Sequence, residues 1–128
     1  MIAVIQRASS AQLHIEGNLH ASINHGFVVL LGIHVDDTAA DVDYIATKIH
    51  GLRIFSDAEG KMNLSLEQVN GEILLVSQFT LHADTRKGNR PSYMLAARPE
   101  QAIPLYEQMI QKLSQFMGSP IQTGVFVV

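Results

Sequence analysis

A continuous apolar run at residues 26–33, with the sequence GFVVLLGI, sets the strongest limit on the fold. A strand that faces water on one side alternates apolar and polar residues, whereas this run presents no polar side chain to water. The run is also far too short to cross a bilayer, which takes about 20 apolar residues in a helix. We therefore expect a central strand that is covered on both faces, in a chain without a membrane-spanning segment.

Three further strands are predicted before and around this run. Residues 2–7 are β-branched and apolar, as strands favour. Residues 11–15 alternate weakly, and Gly17-Asn18 separates them from residues 19–23, which predicts a hairpin.

A first amphipathic helix is predicted after Asp36-Asp37-Thr38, whose side chains are suited to cap a helix N-terminus. Thr38 and Asp41 form a variant of the capping box, with Asp in place of the usual Glu or Gln. Gly51 is expected to end the helix. The apolar residues at helical spacing are Val42, Ile45, Ala46, Ile49 and Leu52.

The segment between the two helices is predicted to contain short strands. Residues 53–55 form one of them, and residues 63–66 form a brief alternating segment. Asn70-Gly71 is a strong hairpin signal, so we expect residues 72–79 to return as a strand paired with the segment before it.

A second amphipathic helix is predicted from Pro99 to a stop at Gly118 and Pro120. Pro104 should shift the first turn or distort the helix, because proline removes one backbone hydrogen bond. The chain then closes with an interrupted strand at residues 121–128. The apolar helix residues are Ala102, Leu105, Tyr106, Met109, Ile110, Leu113, Phe116 and Met117.

The order of these elements indicates the fold class. Strands, a helix, strands, a helix and a final strand, with several hairpins, predict a mixed or antiparallel sheet rather than a βαβ repeat. The predicted class is α+β (mixed α/β), with residues 1–128 as one domain and two main helices. No glycine-rich phosphate-binding loop precedes either helix, so no nucleotide cofactor is expected.

Composition excludes several classes of function. The chain has no Cys, which excludes disulfides, thiolate metal sites and a cysteine nucleophile, and suits a reducing compartment. The opening MIAVIQR lacks the features of a secretory signal, so we expect a cytoplasmic protein. The formal net charge of -3 argues against general coating of nucleic acid, and we expect no DNA partner. Arg86, Lys87 and Arg90 nevertheless form a local basic loop.

Candidate chemistry is concentrated at residues 77–93, SQFTLHADTRKGNRPSY. Thr80, His82 and Asp84 alternate and would share one face of a strand, in the order nucleophile, base and acid. Same-face neighbours are about 6.6 Å apart along a strand, whereas a nucleophile and its base need about 2.6–3.2 Å. A preformed triad is therefore not expected. The six His show no HxxxH or HExxH spacing, so no metal site is expected either.

Two interpretations of the strand end remain open. In the first, backbone N–H groups with Gln78 and Thr80 stabilise a developing oxyanion on a substrate carbonyl. In the second, Ser77, Gln78 and Thr80 only satisfy the polar groups at the end of a buried strand.

Four segments resemble the D-aminoacyl-tRNA deacylases (D-Tyr-tRNA deacylases). They are MIAVIQRAS at the start, GLRIFSDAEGKMNLSL at residues 51–66, SQFTLHADTRKGNRPSY, and PIQTGVF near the end. The resemblance is collinear over essentially the whole chain. Its most specific part is SQFTL followed by Ala83, Asp84, Thr85, Gly88, Arg90 and Pro91.

The resemblance implies an enzyme that hydrolyses the ester between a D-amino acid, or mischarged glycine, and the tRNA 3′-terminal adenosine. It implies a proofreading homodimer with active sites at the subunit interface and no cofactor. Family mechanisms differ: one makes the counterpart of Thr80 a nucleophile, and another has backbone groups hold the substrate while the ribose 2′-hydroxyl assists. Because the spacing of Thr80, His82 and Asp84 fits a triad poorly, the mechanism with backbone groups and the ribose 2′-hydroxyl is favoured.

Residue roles are likewise carried over from the resemblance. It implies catalytic roles for Thr80 and Gln78, and tRNA contacts by Lys87 and Arg90. The remaining implied substrate-binding residues are Ser77, Phe79, Arg7, Met62 and Asn63.

One family feature is missing from the sequence as given. Family members carry an N-x-G-P-x-T motif whose Gly-cis-Pro pair enters the partner's pocket and rejects L-amino acids. Here none of the four Pro follows a Gly. We expect a truncated sequence rather than a true variant. We expect the chain as given to hydrolyse D-aminoacyl-tRNA poorly, or to lose discrimination against L-aminoacyl-tRNA. The alternative function is a catalytically impaired dimeric homologue that binds RNA ends; a general Ser/Thr esterase is a third possibility.

Overall fold

A computed structural model describes residues 1–126 as eight strands, two α-helices and one 3₁₀ helix. In chain order they are β1 (Ile2–Ala8), β2 (Ala11–Ile15), β3 (Asn18–Ile23), β4 (Gly26–Gly32), α1 (Ala39–Gly51), β5 (Phe55–Ser56), β6 (Met62–Leu64), β7 (Glu72–Ser77), the 3₁₀ helix (Phe79–His82), α2 (Pro99–Met117) and β8 (Gln122–Thr123).

The main sheet has four strands in the order β1-β4-β7-β8. β4 pairs antiparallel with β1 and parallel with β7, and β7 pairs parallel with β8. The apolar run is therefore central, as predicted, and the sheet is mixed. The α+β class with two main helices is confirmed.

The two faces of the main sheet are covered differently. Phe27, Val29 and Leu31 of β4 point into the main core, which the residues of α1 and α2 complete. On the opposite face, the predicted β2–β3 hairpin forms its own sheet and packs Ala21 and Ile23 against Leu74 of β7. That hairpin does not cover the whole face. Ile2 and Val4 of β1 remain 40% and 43% exposed.

Both helices have the ends that the sequence predicts. The backbone N–H of Thr38 donates to Asp41 Oδ2 at 2.8 Å, which completes the capping box of α1. α2 begins at Pro99 and ends at Gly118, whose φ of 72° is a left-handed conformation that favours glycine. The helix continues through Pro104, so this proline lies inside α2 and does not delay its start.

The predicted hairpin at Asn70-Gly71 is wrong. β7 does not pair with β6; it pairs with β4, while β6 pairs with β5. The chain instead turns back on itself through a bond from Gly71 N–H to Leu66 O at 2.9 Å, and the side chain of Leu66 is fully buried. Burying Leu66 and inserting the apolar β7 beside β4 outweighs the local turn preference.

Several strand limits also differ from the prediction. The strand expected at residues 53–55 is Phe55–Ser56, and the segment expected at 63–66 is Met62–Leu64. The closing strand is only Gln122–Thr123 in the described chain, and the predicted residues 127–128 lie outside it. Strand ends depend on where a partner ends, which short sequence windows do not encode.

Candidate active site at the end of β7

The strand predicted at residues 72–79 ends two residues early, at Ser77. Gln78 N–H donates to Leu31 O at 2.8 Å, and this is the final bond that ties the segment to β4. The chain then turns into the 3₁₀ helix, because β4 ends at Gly32 and offers no further strand partner. Thr80, His82 and Asp84 therefore do not share a strand face, and that expectation is wrong.

The three side chains of the considered triad have separate partners. The Thr80 hydroxyl accepts a hydrogen bond from Gln78 Nε2. His82 is buried, and its Nε2 lies 3.0 Å from Gly32 O, fifty residues away in the chain. Asp84 binds Arg86. Thr80 consequently has no histidine base beside it, which removes the support for a general Ser/Thr esterase.

A close approach of the 3₁₀ helix to β4 fixes this arrangement. A Cβ atom added at Gly32 would lie 2.9 Å from Leu81 Cβ and 3.1 Å from both Gln78 O and His82 Cδ2. Real Cβ contacts are rarely this short, so glycine is the residue that permits the packing. Gly32 thereby sets the position of Gln78 and of the helix that follows.

The start of the 3₁₀ helix presents two backbone donors. Among residues 1–126, neither Phe79 N–H nor Thr80 N–H donates to a protein acceptor. The first N–H groups of a helix have no acceptor within the helix, and they are suited to bind a partial negative charge. Together with the side-chain amide of Gln78, the N–H groups of Phe79 and Thr80 give three donors in three consecutive residues at the end of β7.

Phe79 also lines a pocket of about 510 Å³, whereas Ser77, Gln78 and Thr80 are not among its lining residues. Its walls are mainly apolar, and they include the rings of Phe79 and Tyr93, which meet edge to face with centroids 5.2 Å apart. Val35 and Met94 contribute further apolar surface. Aromatic rings are the side chains on which nucleic-acid bases stack in RNA-binding proteins.

The basic loop borders the pocket through Tyr93. Asp84 and Ser92 close the loop with two backbone hydrogen bonds of 2.8 Å. Arg86 donates from its side chain to Asp84 Oδ2 at 2.8 Å, and its backbone N–H donates to Asp84 Oδ1 at 2.9 Å. These bonds lower the pKa of Asp84 from 3.8 to about 2, the side-chain bond being the larger cause.

Lys87 and Arg90 differ from Arg86 in having no acidic partner. Within the described chain neither makes an ion pair or a side-chain hydrogen bond, and both are exposed. Their charges are therefore available to an anion at the mouth of the loop, whereas the charge of Arg86 is neutralised by Asp84.

The other predicted site residues lie at the opposite end of the main sheet. Arg7 pairs with Phe27, whereas Ser77 pairs with Leu31, and four residues of β4 separate these positions by about 13 Å. Arg7 Nη1 donates to Ile54 O at 2.8 Å. Within one chain, the structure therefore does not bring Arg7 together with Ser77.

Asn63 and Met62 belong to this distant end as well. The Asn63 side chain accepts a bond from Arg53 Nη2 and donates to Asp57 Oδ2 at 3.2 Å, so it holds the β5–β6 hairpin. Met62 is 64% exposed. A second cleft, of about 510 Å³ and more polar in its lining, includes Asn63 and Arg53.

Of the ten residues that line the first pocket, the sequence identified only Phe79; the residues it missed include Val35, Tyr93, Arg98 and Gln101. Tyr93 could have been predicted from the sequence, because it is the last residue of the segment SQFTLHADTRKGNRPSY. Val35 and Gln101 carry no local signal, since they come from a loop and a helix that only the fold brings together.

Residues 1–126 lack two further features. No group of three His, Cys, Asp or Glu side chains there is placed to hold a metal ion. No helix in the same residues has both the length and the apolar character needed to cross a membrane.

Comparison with known proteins gives one consistent family. The family model for D-Tyr-tRNA(Tyr) deacylase matches residues 4–128. A curated D-aminoacyl-tRNA deacylase of Cytophaga hutchinsonii is 57% identical over 98% of this chain and 84% of its own length. The deacylase of Akkermansia muciniphila is 52% identical with the same coverage.

Two solved structures have a similar fold. One, titled "c-Myc DNA Unwinding Element Binding Protein", has a TM-score of 0.91 at 37% identity and covers 97% of this chain and 84% of its own. The other, titled "Structural Analysis of a probable eukaryotic D-amino acid tRNA deacylase", has a TM-score of 0.77 at 18% identity, covering 91% and 68%. At that identity the second supports the fold alone.

Proposed function

We propose that this chain, which belongs to the D-Tyr-tRNA(Tyr) deacylase family, hydrolyses the ester of D-aminoacyl-tRNA and releases the D-amino acid and tRNA. Residues 1–128 would form one deacylase domain that acts in translation proofreading, with mischarged glycyl-tRNA as a further substrate. The observation that carries the proposal is the end of β7, where the donors of Gln78, Phe79 and Thr80 come together and Phe79 lines a pocket of about 510 Å³. The strong identity to curated deacylases does not favour a catalytically impaired RNA-end-binding homologue.

The donors at the end of β7 account for the chemistry. Water adds to the ester carbonyl carbon, and the carbonyl oxygen becomes an oxyanion that accepts hydrogen bonds from Phe79 N–H, Thr80 N–H or the Gln78 amide. The carbonyl then re-forms as the carbon–oxygen bond to the ribose breaks, and the ribose oxygen takes up the proton that the attacking water loses. Ser77 and Phe79 line the approach, and Thr80 orients Gln78 through their mutual hydrogen bond. No cofactor or metal enters this scheme.

The terminal adenosine is proposed to occupy the aromatic pocket. Phe79 and Tyr93 supply the stacking surface, and the adjoining basic loop lies where the phosphates of the tRNA end would pass. Lys87 and Arg90 are assigned to those phosphates because neither has an acidic partner among residues 1–126. The net charge of -3 suits recognition of a tRNA end rather than a long duplex, so DNA is left out of the proposal.

A homodimer is proposed as the active form. Arg7 lies about 13 Å along the sheet from the level of Ser77, so it reaches a Ser77–Thr80 site only in a second copy of the chain. The exposed apolar side chains of Ile2 and Val4 offer a self-complementary surface for a two-fold dimer. Met62 and Asn63 would join Arg7 on the partner's side. The cytoplasm, where tRNA is charged, is the proposed location.

The test is deacylation of D-Tyr-tRNA and L-Tyr-tRNA, measured in parallel. We expect release of D-Tyr by the parent chain, and a fall of about tenfold or more when Gln78 and Thr80 are both replaced by Ala. The matched control is Gln108→Ala on the exposed surface of α2, which should leave the rate unchanged. The ratio of the D and L rates measures chiral selection.

Sedimentation of the same proteins separates loss of chemistry from loss of assembly. The Gln78 and Thr80 replacements should leave the dimer intact, since these residues are placed at the substrate. The proposal is wrong if the parent chain releases no more D-Tyr than buffer, or if the double replacement is as active as the parent.

A further inference from the structure

The loop at residues 34–37 is tied to the pocket by backbone bonds. Val35 N–H donates to Leu95 O at 2.9 Å, and Ala97 N–H donates to Ile33 O at 2.8 Å. These bonds place Val35 in the pocket wall, together with Ala96 and Ala97. The position of this loop therefore determines the shape of the pocket that receives the substrate.

A single side chain of α2 joins the carbonyl groups of this loop. Gln101 Nε2 donates to Val35 O at 2.7 Å and lies 3.3 Å from Asp37 O and 3.5 Å from His34 O. Gln101 also lines the pocket. One amide group thus connects the loop and the helix at the place where both border the substrate site.

The far end of the loop is held by a partly buried ion pair. Asp37 Oδ1 lies 2.9 Å from the ammonium group of Met1, and the side chains of Asp37 and Met1 are 7% and 1% exposed. Asp37 Oδ2 accepts a hydrogen bond from His34 N–H at 2.7 Å. Asp37 fixes one side of the loop, and the Gln101 amide adds a side-chain contact to the Val35–Leu95 backbone bond on the side that faces the pocket.

We propose that Gln101 is a positioning residue for the deacylation reaction, holding Val35 at the distance from Phe79 and Tyr93 that the substrate requires. The proposal rests on the function proposed above, since it concerns the same pocket. Only a donor pairs with these carbonyl oxygens, and the two N–H bonds of the Gln101 amide make one short contact, to Val35 O, and share the longer contacts to Asp37 O and His34 O. An apolar side chain of equal length leaves them unpaired, and a carboxylate would repel them.

The principal test is Gln101→Met, which keeps the length of the side chain and its neutral charge but removes the donor. Gln108→Met, the same substitution two turns along α2 on exposed surface, is the matched control. We expect the KM for D-Tyr-tRNA to rise about tenfold in Gln101→Met, as the loss of one well-placed hydrogen bond predicts, with kcat within about twofold of the parent.

Hydrogen exchange supplies a readout that does not depend on the substrate. The amides of Val35 and Asp37 donate within the loop region, and they should exchange faster in Gln101→Met while the amides of β4 do not. Gln101→Glu should raise the KM and speed the exchange of the Val35 and Asp37 amides more than Gln101→Met does. The reason is that its carboxylate faces the carbonyl oxygens of Val35 and Asp37.

The outcomes separate this inference from the proposed function. An unchanged KM, or exchange at Val35 and Asp37 no faster than in Gln108→Met, overturns the positioning role. Faster exchange that spreads through β4 also overturns it, because Gln101 would then support the whole fold. A parent chain without deacylase activity refutes the proposed function instead, and the exchange measurement still decides whether Gln101 holds the loop.

Discussion

At the residue scale, the polar side chains after β7 are divided among separate tasks. Gln78 and Thr80 bind each other, and His82 binds Gly32 and so holds the 3₁₀ helix against β4. Asp84 binds Arg86 and closes the basic loop. Alternation in the sequence had grouped Thr80, His82 and Asp84 on one face, and a change of backbone from strand to 3₁₀ helix separates them.

The Asp84–Arg86 pair gives a prediction for pH. The folded pKa of Asp84, about 2, is lower than its ordinary value of 3.8. The pair therefore contributes to loop stability above pH 3.8, and the contribution is lost as the pH falls through about 2. Carboxyl NMR titration should show this low pKa in the parent chain.

Arg86→Gln should return the pKa of Asp84 toward 3.8, because it removes the main hydrogen-bond donor. Lys87→Gln is the control, since Lys87 does not bond to Asp84, and it should leave the pKa near the parent value. If the pKa of Asp84 is the same in the parent chain and in Arg86→Gln, then the Arg86 side chain is not the cause of the low pKa.

Residue-level roles at the pocket were only partly predictable from the sequence. Ser77, Gln78, Phe79 and Thr80 stand together in one segment, so a resemblance over that segment was enough to find them. Gln101 and Val35 are 66 residues apart, and their contact exists only because α2 begins beside the loop after β4. No local window contains both residues.

At the scale of elements, the helices were predictable because their signals are local. Thr38 and Asp41 cap α1 within four residues, and Gly118 ends α2 by its own backbone conformation. The partners of the strands were not predictable in the same way. Asn70-Gly71 looked like a hairpin, but the pairing of β7 with β4 joins residues more than forty positions apart.

The packing of the 3₁₀ helix on β4 gives a prediction at this scale. Gly32→Ala should destabilise the fold by about 1–3 kcal/mol, because the new methyl group meets Leu81, Gln78 and His82. Movement of the 3₁₀ helix should also lower deacylation, since Gln78 and Thr80 move with it. Urea unfolding and the D-Tyr-tRNA assay measure the two effects.

Gly51→Ala is the matched control for this substitution. A Cβ added at Gly51, the last residue of α1, meets nothing within 4 Å, and alanine favours the helix by up to about 1 kcal/mol. The account fails if Gly32→Ala is as stable and as active as Gly51→Ala.

At the scale of the whole molecule, the main sheet separates two sets of proposed site residues. The Ser77–Thr80 donors lie at one end, and Arg7 with Asn63 lies at the other. The open apolar surface of β1 lies on the face that the β2–β3 hairpin leaves partly uncovered. A two-fold dimer would cover this surface and bring the two ends together between subunits.

Val4→Lys tests that assembly, because it places a charge in the exposed apolar surface of β1. We expect a monomer in sedimentation and a loss of deacylation of about 100-fold, since a charge buried without a partner is costly at an interface. Tyr44→Lys, on an exposed apolar residue of α1, is the control and should remain dimeric and active. A dimeric, active Val4→Lys protein would exclude β1 from the interface.

The distance between Arg7 and Ser77 has a consequence for how the enzyme is switched on. If each site draws on two copies, a newly made chain is silent until it meets another. Specific activity should then fall on dilution, in step with the fraction of chains that are paired. The proofreading capacity of a cell would thus depend on the square of the chain concentration wherever that concentration is low, and only linearly once pairing is complete.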